Sequence, residues 1–464
     1  MLVELLERGD LTASVYGLGY VGLALSAAWL RAGARVIGVD VDEEKVAALS
    51  NGVVDYVEAD VREAIAAAVK EGRMTATTDG EVASIKSRVK IITVPVYLRS
   101  TSPSIEVDFS ALTSAAKAIA QGLKKGDLVI IESSVPPGTT EEVVKPLLES
   151  STGLAAEEDF YLVYSPERIM VGHALKDIEE NYPKVIAGVG PRSAEEAAAL
   201  YKKIAKKGVV ILPSPKAAEF EKLLEGVYRD VNIALANEMA YLANALGIPF
   251  AEAREAANSQ PYSHVHKPGT GVGGSCIPVY PYFLLWAAAR IGLDLPLTRL
   301  GRTINEEQPE KVAEAAVKAM IREGVNPAEA KIAVLGLAFR GDVDDTRRSP
   351  TYDVLRALLD YGIRPEQIVV HDPFVKRDKA LESWGIRLTQ SLDEALSGAS
   401  LALIATDHSA YKVEASKLAS RMRRPLIVDA RGVVKADIRI YSIDKGPWPA
   451  ASARRAEGGE KRRC

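Results

Sequence analysis

A glycine-rich segment near the N-terminus has the residue types that bind a dinucleotide. Residues 17–22, GLGYVG, follow an apolar run and precede an Ala-rich one, and Asp40 closes the next apolar run. Glycines here permit a tight turn and close approach of a pyrophosphate to a helix N-terminus, and a carboxylate after the second strand binds the ribose diol. The pattern predicts an NAD site, since Asp40 would repel the 2′-phosphate of NADP. The alternative is a glycine-rich connector without a ligand.

A cysteine within a second glycine-rich segment is a candidate nucleophile. Cys276 ends the segment GTGVGGSC at 269–276, and the only other cysteine is the last residue, Cys464. Small neighbours would let a substrate approach the sulfur, whose thiolate is nucleophilic. A buried thiol without a chemical role is the commoner situation for a single cysteine. The spacing alone leaves both interpretations open.

Polar side chains follow two further predicted strands, in IESSVPPGTT at 131–140 and YSPER at 164–168. Ligands of open parallel sheets bind at the edge where the strands end. However, turn formation or a surface ion pair between Glu167 and Arg168 explains these residues as well. Lys222, Gly226 and Arg229 lie near one face of a predicted helix. A solvated basic face of that helix explains these residues as well. The five histidines show no metal-ligand spacing, so we expect no metal.

Short β-branched runs alternate with Ala-rich helical patterns at both ends of the chain, as in βαβ units. The predicted strands are 12–16, 35–39, 89–94, 127–131, 160–164, 184–188 and 208–212, then 331–335, 368–370, 401–405 and 426–428. Predicted helices cover 216–246, 282–292 and a stretch before Asn326. The expected α/β fold has two Rossmann-like parallel-sheet domains joined by a long central helix and a helical dimerisation region.

Length, charge and hydropathy bound the class of protein. The chain has 464 residues and a net charge of -4, too long for one core and without the basic excess of a nucleic-acid binder. No apolar run reaches the ~18 residues of a membrane span, and the acidic N-terminus differs from a secretory signal, so we expect a cytoplasmic protein that binds neither nucleic acid nor membrane. We place domains at 1–213, 214–315 and 316–446, and a flexible tail at 447–464.

Six ordered blocks resemble the UDP-glucose/GDP-mannose dehydrogenase family, which oxidises C6 of a nucleotide sugar from alcohol to carboxylate with two NAD. They are GLGYVG (17–22), ESSVPPGTT (132–140), SPERIMVGHALKD (165–177), AEFEKLLEGVYRDVNIALANE (218–238), PGTGVGGSCIP (268–278) and VLGLAFRGDVDDTRRSP (334–350). The segments YRDVNIALANE and GVGGSCIPVYPYF are more similar to the UDP-N-acetylhexosamine branch, especially the UDP-N-acetylmannosamine dehydrogenases, than to the UDP-glucose branch. The alternatives are UDP-glucose or UDP-N-acetylglucosamine as substrate, or a nucleotide-sugar-binding protein without full turnover.

The resemblance implies catalytic roles. Cys276 matches the nucleophile that forms a thiohemiacetal and then a thioester, Lys222 the lysine that supports the thiolate and the oxyanions, and Glu167 a carboxylate that positions water. The implied substrate-binding residues are Arg168, Arg229, Gly273, Phe339 and Arg340. The implied NAD-binding residues are Gly17, Gly19, Tyr20, Val21, Gly22, Asp40, Lys45, Ser134 and Arg347. The family also implies NAD binding by the first domain, UDP binding by the third, and a homodimer or higher oligomer through the central one.

Some residues depart from the family pattern. Gly226 stands where the family usually has Asn, and Tyr280 where it usually has Asp, four residues after the lysine and the cysteine respectively. Tyr262 aligns with an arginine that contacts substrate across a subunit boundary, and Ser134 and Val96 each replace a Thr. The first two changes remove an amide and a carboxylate, so they concern cysteine activation and thioester hydrolysis.

Overall fold

Two compact units make up the chain in a computed structural model that describes residues 1–54 and 57–449. Among the described residues, the first unit contains 1–225 and 282–294, and the second contains 226–281 and 295–449. Two helices, Pro215–Ala245 and Tyr280–Arg290, each contribute to both units. The predicted central region, 214–315, is therefore shared between the units.

An eight-stranded sheet organises the first unit. The strands are β1 (Thr12–Tyr16), β2 (Arg35–Val39), β3 (Met74–Thr77), β4 (Val89–Ile92), β5 (Tyr97–Ser100), β6 (Glu106–Asp108), β7 (Leu128–Ile131), β8 (Tyr161–Tyr164), β9 (Lys184–Gly188) and β10 (Val209–Ile211), with β5 and β6 forming a separate antiparallel pair. The order in the sheet is β10-β9-β8-β7-β4-β1-β2-β3. All neighbours are parallel except β8 and β9, a departure from the all-parallel sheet that we expect from the sequence.

Helices cover this sheet and bury its apolar strands. They are α1 (Leu2–Glu7), α2 (Tyr20–Arg31), α3 (Glu43–Ser50), α4 (Ala59–Lys70), α5 (Gly80–Lys86), α6 (Ser110–Gly122), α7 (Lys145–Thr152), α8 (Ala174–Lys176) and α9 (Pro191–Tyr201), with π-helical turns at Thr140–Val144 and Asp177–Asn181. The long helix α10 (Pro215–Ala245) follows β10. Since no proline interrupts α10 after its first residue, it continues for 31 residues.

A six-stranded parallel sheet organises the second unit. Its strands are β11 (Ile332–Leu335), β12 (Ile368–His371), β13 (Arg387–Thr389), β14 (Leu401–Ile404), β15 (Ile427–Asp429) and β16 (Tyr441–Ser442), in the order β13-β12-β11-β14-β15-β16. The helices are α11 (Phe250–Asn258), α13 (Pro296–Arg322), α14 (Pro350–Asp360), α15 (Lys379–Trp384), α16 (Leu392–Leu396) and α17 (Ala415–Ala419), with 3-10 turns at Pro365–Gln367 and Ser409–Tyr411. The helix α12 (Tyr280–Arg290) begins in this unit and continues in the first. Apolar residues of α13, α14 and the strands form its main core.

Every predicted strand is present, and the prediction of two α/β sheets is confirmed. The sequence prediction is wrong in leaving out β3, β5, β6, β13 and β16. Of these, β3, β13 and β16 lie at a sheet edge, and β5 and β6 form a separate pair. All five are only two to four residues long, so none presents a long apolar run.

The predicted tail, 447–464, lies mostly outside the described residues. Within its described part Trp448 is only 4% exposed and belongs to the core of the second unit, so a tail begins no earlier than residue 450. Among residues 1–54 and 57–449 no helix is both long and apolar enough to cross a membrane. The same residues contain no group of three His, Cys, Asp or Glu arranged to hold a metal ion.

Candidate functional site

The glycine-rich turn after β1 has the geometry that a pyrophosphate needs. Gly17 has φ +103°, and its N–H donates to Val39 O at 2.8 Å. A Cβ on Gly22 would overlap Gly17 O and lie 2.8 Å from Thr93 Oγ1. Gly19 precedes the first residue of α2, so the turn leads directly into a helix N-terminus, which favours an anion. The residues present therefore fit NAD.

Asp40 holds this turn in place. Its Oδ2 accepts a hydrogen bond from Leu18 N at 2.8 Å, and its Oδ1 accepts one from Asp42 N at 3.1 Å. Lys45 Nζ lies 3.8 Å from Asp40 Oδ2. The carboxylate is only partly buried, so the turn and a ligand can both reach it.

Tyr20, at the start of α2, is tied to a second loop. Its hydroxyl donates to Glu58 Oε1, which also accepts Gly172 N at 2.6 Å and Ala174 N at 3.3 Å. Val21 follows Tyr20 and is half-buried against the core. These contacts fix the beginning of α2 relative to residues 172–174.

The segments that follow β4 and β7 close the same edge of the sheet. Thr93 Oγ1 donates to Gly17 O at 2.8 Å, and Ser133 Oγ donates to Val94 O at 2.6 Å. Ser134 follows and is half-buried. Sequence reasoning missed Thr93, because a single threonine after a strand carries no spacing signal.

A buried ion cluster lies where β7, β8 and β9 end or begin. Lys184 Nζ is 2.6 Å from Glu132 Oε2 and 2.6 Å from Glu167 Oε2. Tyr201 donates its hydroxyl to Glu132, and Glu167 Oε1 accepts Arg168 N at 2.7 Å. Glu167, the predicted water-positioning residue, is 7% exposed and has both oxygens engaged.

The charged groups in this cluster shift one another's pKa values. The pKa of Glu132 is raised to about 7, mainly by burial; Lys184 opposes this shift and the carboxylate of Glu167 adds to it. Burial lowers the pKa of Lys184, but the two carboxylates outweigh it, so that this pKa is raised and the ammonium form is kept. Sequence reasoning missed Lys184, because it begins an otherwise apolar strand without a motif.

Arg168 is held by acidic residues of α10. Its guanidinium lies 3.5 Å from Glu221 Oε1 and 3.5 Å from Glu225 Oε1, and it donates to Pro183 O. The same group lies over the ring of Tyr182, 4.9 Å from the centroid. A substrate would therefore meet an arginine whose direction is already set.

The beginning of α10 anchors the Pro-Pro-Gly loop. Glu219 accepts hydrogen bonds from Gly138 N at 2.5 Å, Thr140 N at 2.8 Å and Thr140 Oγ1 at 2.7 Å. Burial raises the pKa of Glu219 to about 7, although these donors lower it. Lys222 follows on the same helix and is buried.

Cys276 lies in the second unit with an exposed side chain. Its carbonyl oxygen accepts Val279 N at 3.0 Å and Tyr280 N at 3.1 Å, so the chain turns directly from the cysteine into α12. Ser275 Oγ is 3.6 Å from the sulfur. The thiol is therefore accessible, close to the N-terminal end of α12.

The glycines before Cys276 are closely packed. A Cβ on Gly273 would lie 2.6 Å from Phe339 Cβ and 2.7 Å from Arg348 O. Gly274 has φ +91° and donates to Arg347 O at 2.9 Å. Phe339, predicted to contact substrate, thus packs on this segment.

Two arginines lie in the loop between β11 and α14. Arg340 follows Phe339 and is half-buried. The exposed guanidinium of Arg347 forms a bidentate pair with Asp345, with N···O distances of 2.6 to 3.1 Å. Its predicted contact with NAD stays a prediction.

A basic pocket of about 440 Å³ lies in the second unit. It is lined by Ile233, Arg254, Val265, His266, Lys267, Gly269, Gly271 and Arg431. The buried Nε atoms of Arg254 and Arg431 have no hydrogen-bond partner among the described residues, as expected where an anion completes a site. Sequence reasoning missed Arg254, Lys267 and Arg431, which are far apart in the chain and belong to no single motif.

The middle of α10 holds one wall of this pocket. Asn232 Nδ2 donates to His264 O at 2.7 Å, and its Oδ1 accepts His266 N at 2.8 Å. Burial lowers the pKa of His266, and the charge of Arg229 lowers it further. Arg229, a substrate-binding residue that the family resemblance implies, is therefore close to the pocket wall.

Comparison with known proteins explains these features together. The chain matches models of the UDP-glucose/GDP-mannose dehydrogenase family for the NAD-binding domain over 11–205, the central domain over 216–307 and the UDP-binding domain over 333–436. The chain belongs to this family. As such it is an NAD-dependent nucleotide-sugar dehydrogenase.

Several dehydrogenases of this family are similar over nearly their whole length. A UDP-N-acetyl-D-mannosamine dehydrogenase of Pyrococcus horikoshii is 37% identical, covering 91% of this chain and 96% of that protein. A solved structure of a UDP-D-ManNAc dehydrogenase from Pyrococcus horikoshii has a TM-score of 0.84 at 35% identity; the match covers 94% of this chain and 100% of that one. The structure of a UDP-glucose dehydrogenase from Pyrobaculum islandicum also has a TM-score of 0.84, at 28% identity, covering 94% and 98%.

The predicted residues fall into two groups in this family member. The first unit contains the glycine turn, Asp40, Lys45, Ser134, Glu167, Arg168 and Lys222, and the second contains Arg229, Gly273, Cys276, Phe339, Arg340 and Arg347. The catalytic and binding roles of these residues stay predictions.

Proposed function

We propose that this dehydrogenase oxidises UDP-N-acetyl-D-mannosamine to UDP-N-acetyl-D-mannosaminuronate through a covalent cysteine intermediate. One observation carries the proposal: a single glycine-rich segment lines the basic pocket with Gly269 and Gly271 and ends in the exposed Cys276. Eight consecutive residues thus contribute to a pocket for an anionic group and also contain the nucleophile. The Pyrococcus relative, named for this substrate, supports the choice of sugar.

The chemistry removes two hydrides and adds one water. Loss of the first hydride and the hydroxyl proton from C6 gives an aldehyde, to which the thiolate of Cys276 adds as a thiohemiacetal. Loss of the second hydride gives a thioester, and water releases the carboxylate and the thiol. NAD, when bound, accepts one hydride in each oxidation.

Charged residues support these steps in the proposal. The buried ammonium of Lys222 stabilises negative charge on the reacting oxygen. Glu167, paired with Lys184 at 2.6 Å, orients the hydrolytic water. Arg254, Lys267 and Arg431 take the diphosphate, since guanidinium groups suit phosphate oxygens, while Arg168, Arg229, Gly273, Phe339 and Arg340 contact the remainder of the substrate.

We also propose that the chain forms a homodimer or a higher homo-oligomer through α10. Large apolar side chains are exposed along it at Phe220, Leu224, Tyr228, Leu235 and Leu242. Covering such a row removes apolar surface from water. A second copy of the chain presents the same row.

The second candidate is the same reaction on UDP-glucose or UDP-N-acetylglucosamine, which the equally similar fold of the Pyrobaculum enzyme supports. A third, a nucleotide-sugar-binding protein without full turnover, is motivated by Gly226 and Tyr280. Initial rates of NADH formation with the three UDP-sugars under identical conditions separate these functions. We expect the highest kcat/KM with UDP-N-acetylmannosamine; a higher value with another sugar would support the second candidate, and binding without NADH the third.

A further inference from the structure

Gly226 and Tyr280, two departures from the family pattern, are in direct contact. A side-chain carbon on Gly226 would overlap Cδ2 of Tyr280 and lie 3.2 Å from both its Cε2 and its Cγ. The tyrosine is 2% exposed. Its ring therefore fills the volume that any side chain at position 226 would need, and the two replacements fit each other.

Tyr280 is linked to Cys276 by one turn of backbone. The carbonyl oxygen of Cys276 accepts both Val279 N at 3.0 Å and Tyr280 N at 3.1 Å. A packed interior gives way little to overlap, so a displaced ring moves this turn. The direction of the thiol therefore depends on where the ring rests.

We infer that Tyr280, resting against Gly226, is a positioning residue that orients the Cys276 thiol. Packing of the tyrosine ring holds the nucleophile in this protein. The family resemblance leads one to expect an amide at position 226 and a carboxylate at position 280 instead. The catalytic meaning of this arrangement rests on the proposed function. The packing of Tyr280 against Gly226 and its effect on the thiol do not rest on the proposed function.

The test follows the alkylation of Cys276 by iodoacetamide, without any sugar, in four variants: Gly226→Ala, Tyr280→Ala, the double variant, and Tyr280→Phe. All carry Cys464→Ser, so that one thiol remains. Rates are measured across a pH range that brackets the ordinary thiol pKa near ~8.5. NAD affinity and the melting temperature report folding.

We expect Gly226→Ala to lower the alkylation rate across the pH range by about fivefold or more, because the added methyl group displaces the ring. Tyr280→Ala and the double variant lack the ring that holds the thiol, so their rates should also fall below that of the starting protein. Tyr280→Phe keeps the ring and its alkylation rate within about twofold. A folded Gly226→Ala protein with an unchanged rate would overturn the inference.

A folding failure is also informative. If Gly226→Ala does not fold, the double variant must fold, since removing the ring relieves the overlap. If the double variant also fails while Tyr280→Ala folds, Gly226 serves another purpose and the inference is wrong. Since alkylation needs no UDP-sugar, failure of the proposed oxidation and failure of this inference are distinguished.

Discussion

Asp40 and Asp372 occupy equivalent positions in the two sheets. Asp40 follows β2 and accepts Leu18 N at 2.8 Å, and Asp372 follows β12 and accepts Leu337 N at 2.8 Å. The residue before each donor is a glycine with positive φ, +103° in the first unit and +107° in the second. In both units, a carboxylate thus holds the glycine turn through a hydrogen bond from the backbone N–H that follows the glycine.

The surroundings of the two carboxylates differ. Asp372 is fully buried, and His408 Nε2 lies 3.1 Å from its Oδ2. Burial raises the pKa of Asp372, but His408 and backbone N–H groups outweigh this effect and lower it to about 2. Asp372 therefore has a structural role, whereas the partly exposed Asp40 can also bind a ligand.

Replacing Asp40 by Ala is expected to weaken NAD binding by roughly 10- to 150-fold, the range for a lost hydrogen bond to a charged group. Discrimination against NADP should fall, because the charge that repels the 2′-phosphate is gone. Titration calorimetry with both cofactors measures this. Asp372→Ala is the matched control: it should lower the melting temperature and leave NAD affinity of the folded protein unchanged. An unaltered cofactor preference in Asp40→Ala would remove Asp40 from the ribose role.

Replacing Lys184 by Met should destabilise the protein by ~3–5 kcal/mol, because the carboxylates of Glu132 and Glu167 lose their buried partner. The loss should be smaller at acidic pH, where these groups can protonate. Urea unfolding gives the free energy. Lys184→Arg keeps the charge and should lose less. A Lys184→Met protein as stable as the original at neutral pH would contradict the ion cluster.

Glu219 should make stability depend on pH. Its folded pKa, about 7, lies above its ordinary value of 4.5, so folding favours its protonated form. Its contribution is fully present below pH 4.5 and is lost as pH rises through 7, with a slope of up to about 1.4 kcal/mol per pH unit. Glu219→Gln should flatten this decline in the free energy of unfolding. Glu238→Gln, exposed on the same helix, should leave the decline unchanged; an equal decline in both variants would contradict the prediction.

The apolar row on α10 predicts an effect on assembly. Leu235→Glu places a charge within the row and should lower the mass measured by light scattering after size-exclusion chromatography, since burying an unpaired charge is costly. Ile321 is also exposed but lies on α13, outside the row, so Ile321→Glu should leave the mass unchanged. A monomeric starting protein would exclude this interface.

The sequence predicts most strands and the glycine turns because both depend on local patterns: apolar runs between turns, and glycines where a Cβ would overlap backbone. It fails for Lys184, whose importance comes from two carboxylates at positions 132 and 167. Arg254 and Arg431 are likewise brought to one pocket by the fold alone. The contact of Gly226 with Tyr280 could not be predicted, because the sequence does not show that two residues so far apart in the chain lie close together in space.

The covalent four-electron oxidation is tested by the number of NADH molecules formed per UDP-N-acetylmannosamine consumed, followed by NADH absorbance with excess NAD. We expect two per sugar for the original protein and for Cys464→Ser. We expect Cys276→Ser to complete no such turnover and yet to bind NAD and the UDP-sugar. One NADH per sugar, none with any UDP-sugar, or two from Cys276→Ser would contradict the covalent four-electron oxidation.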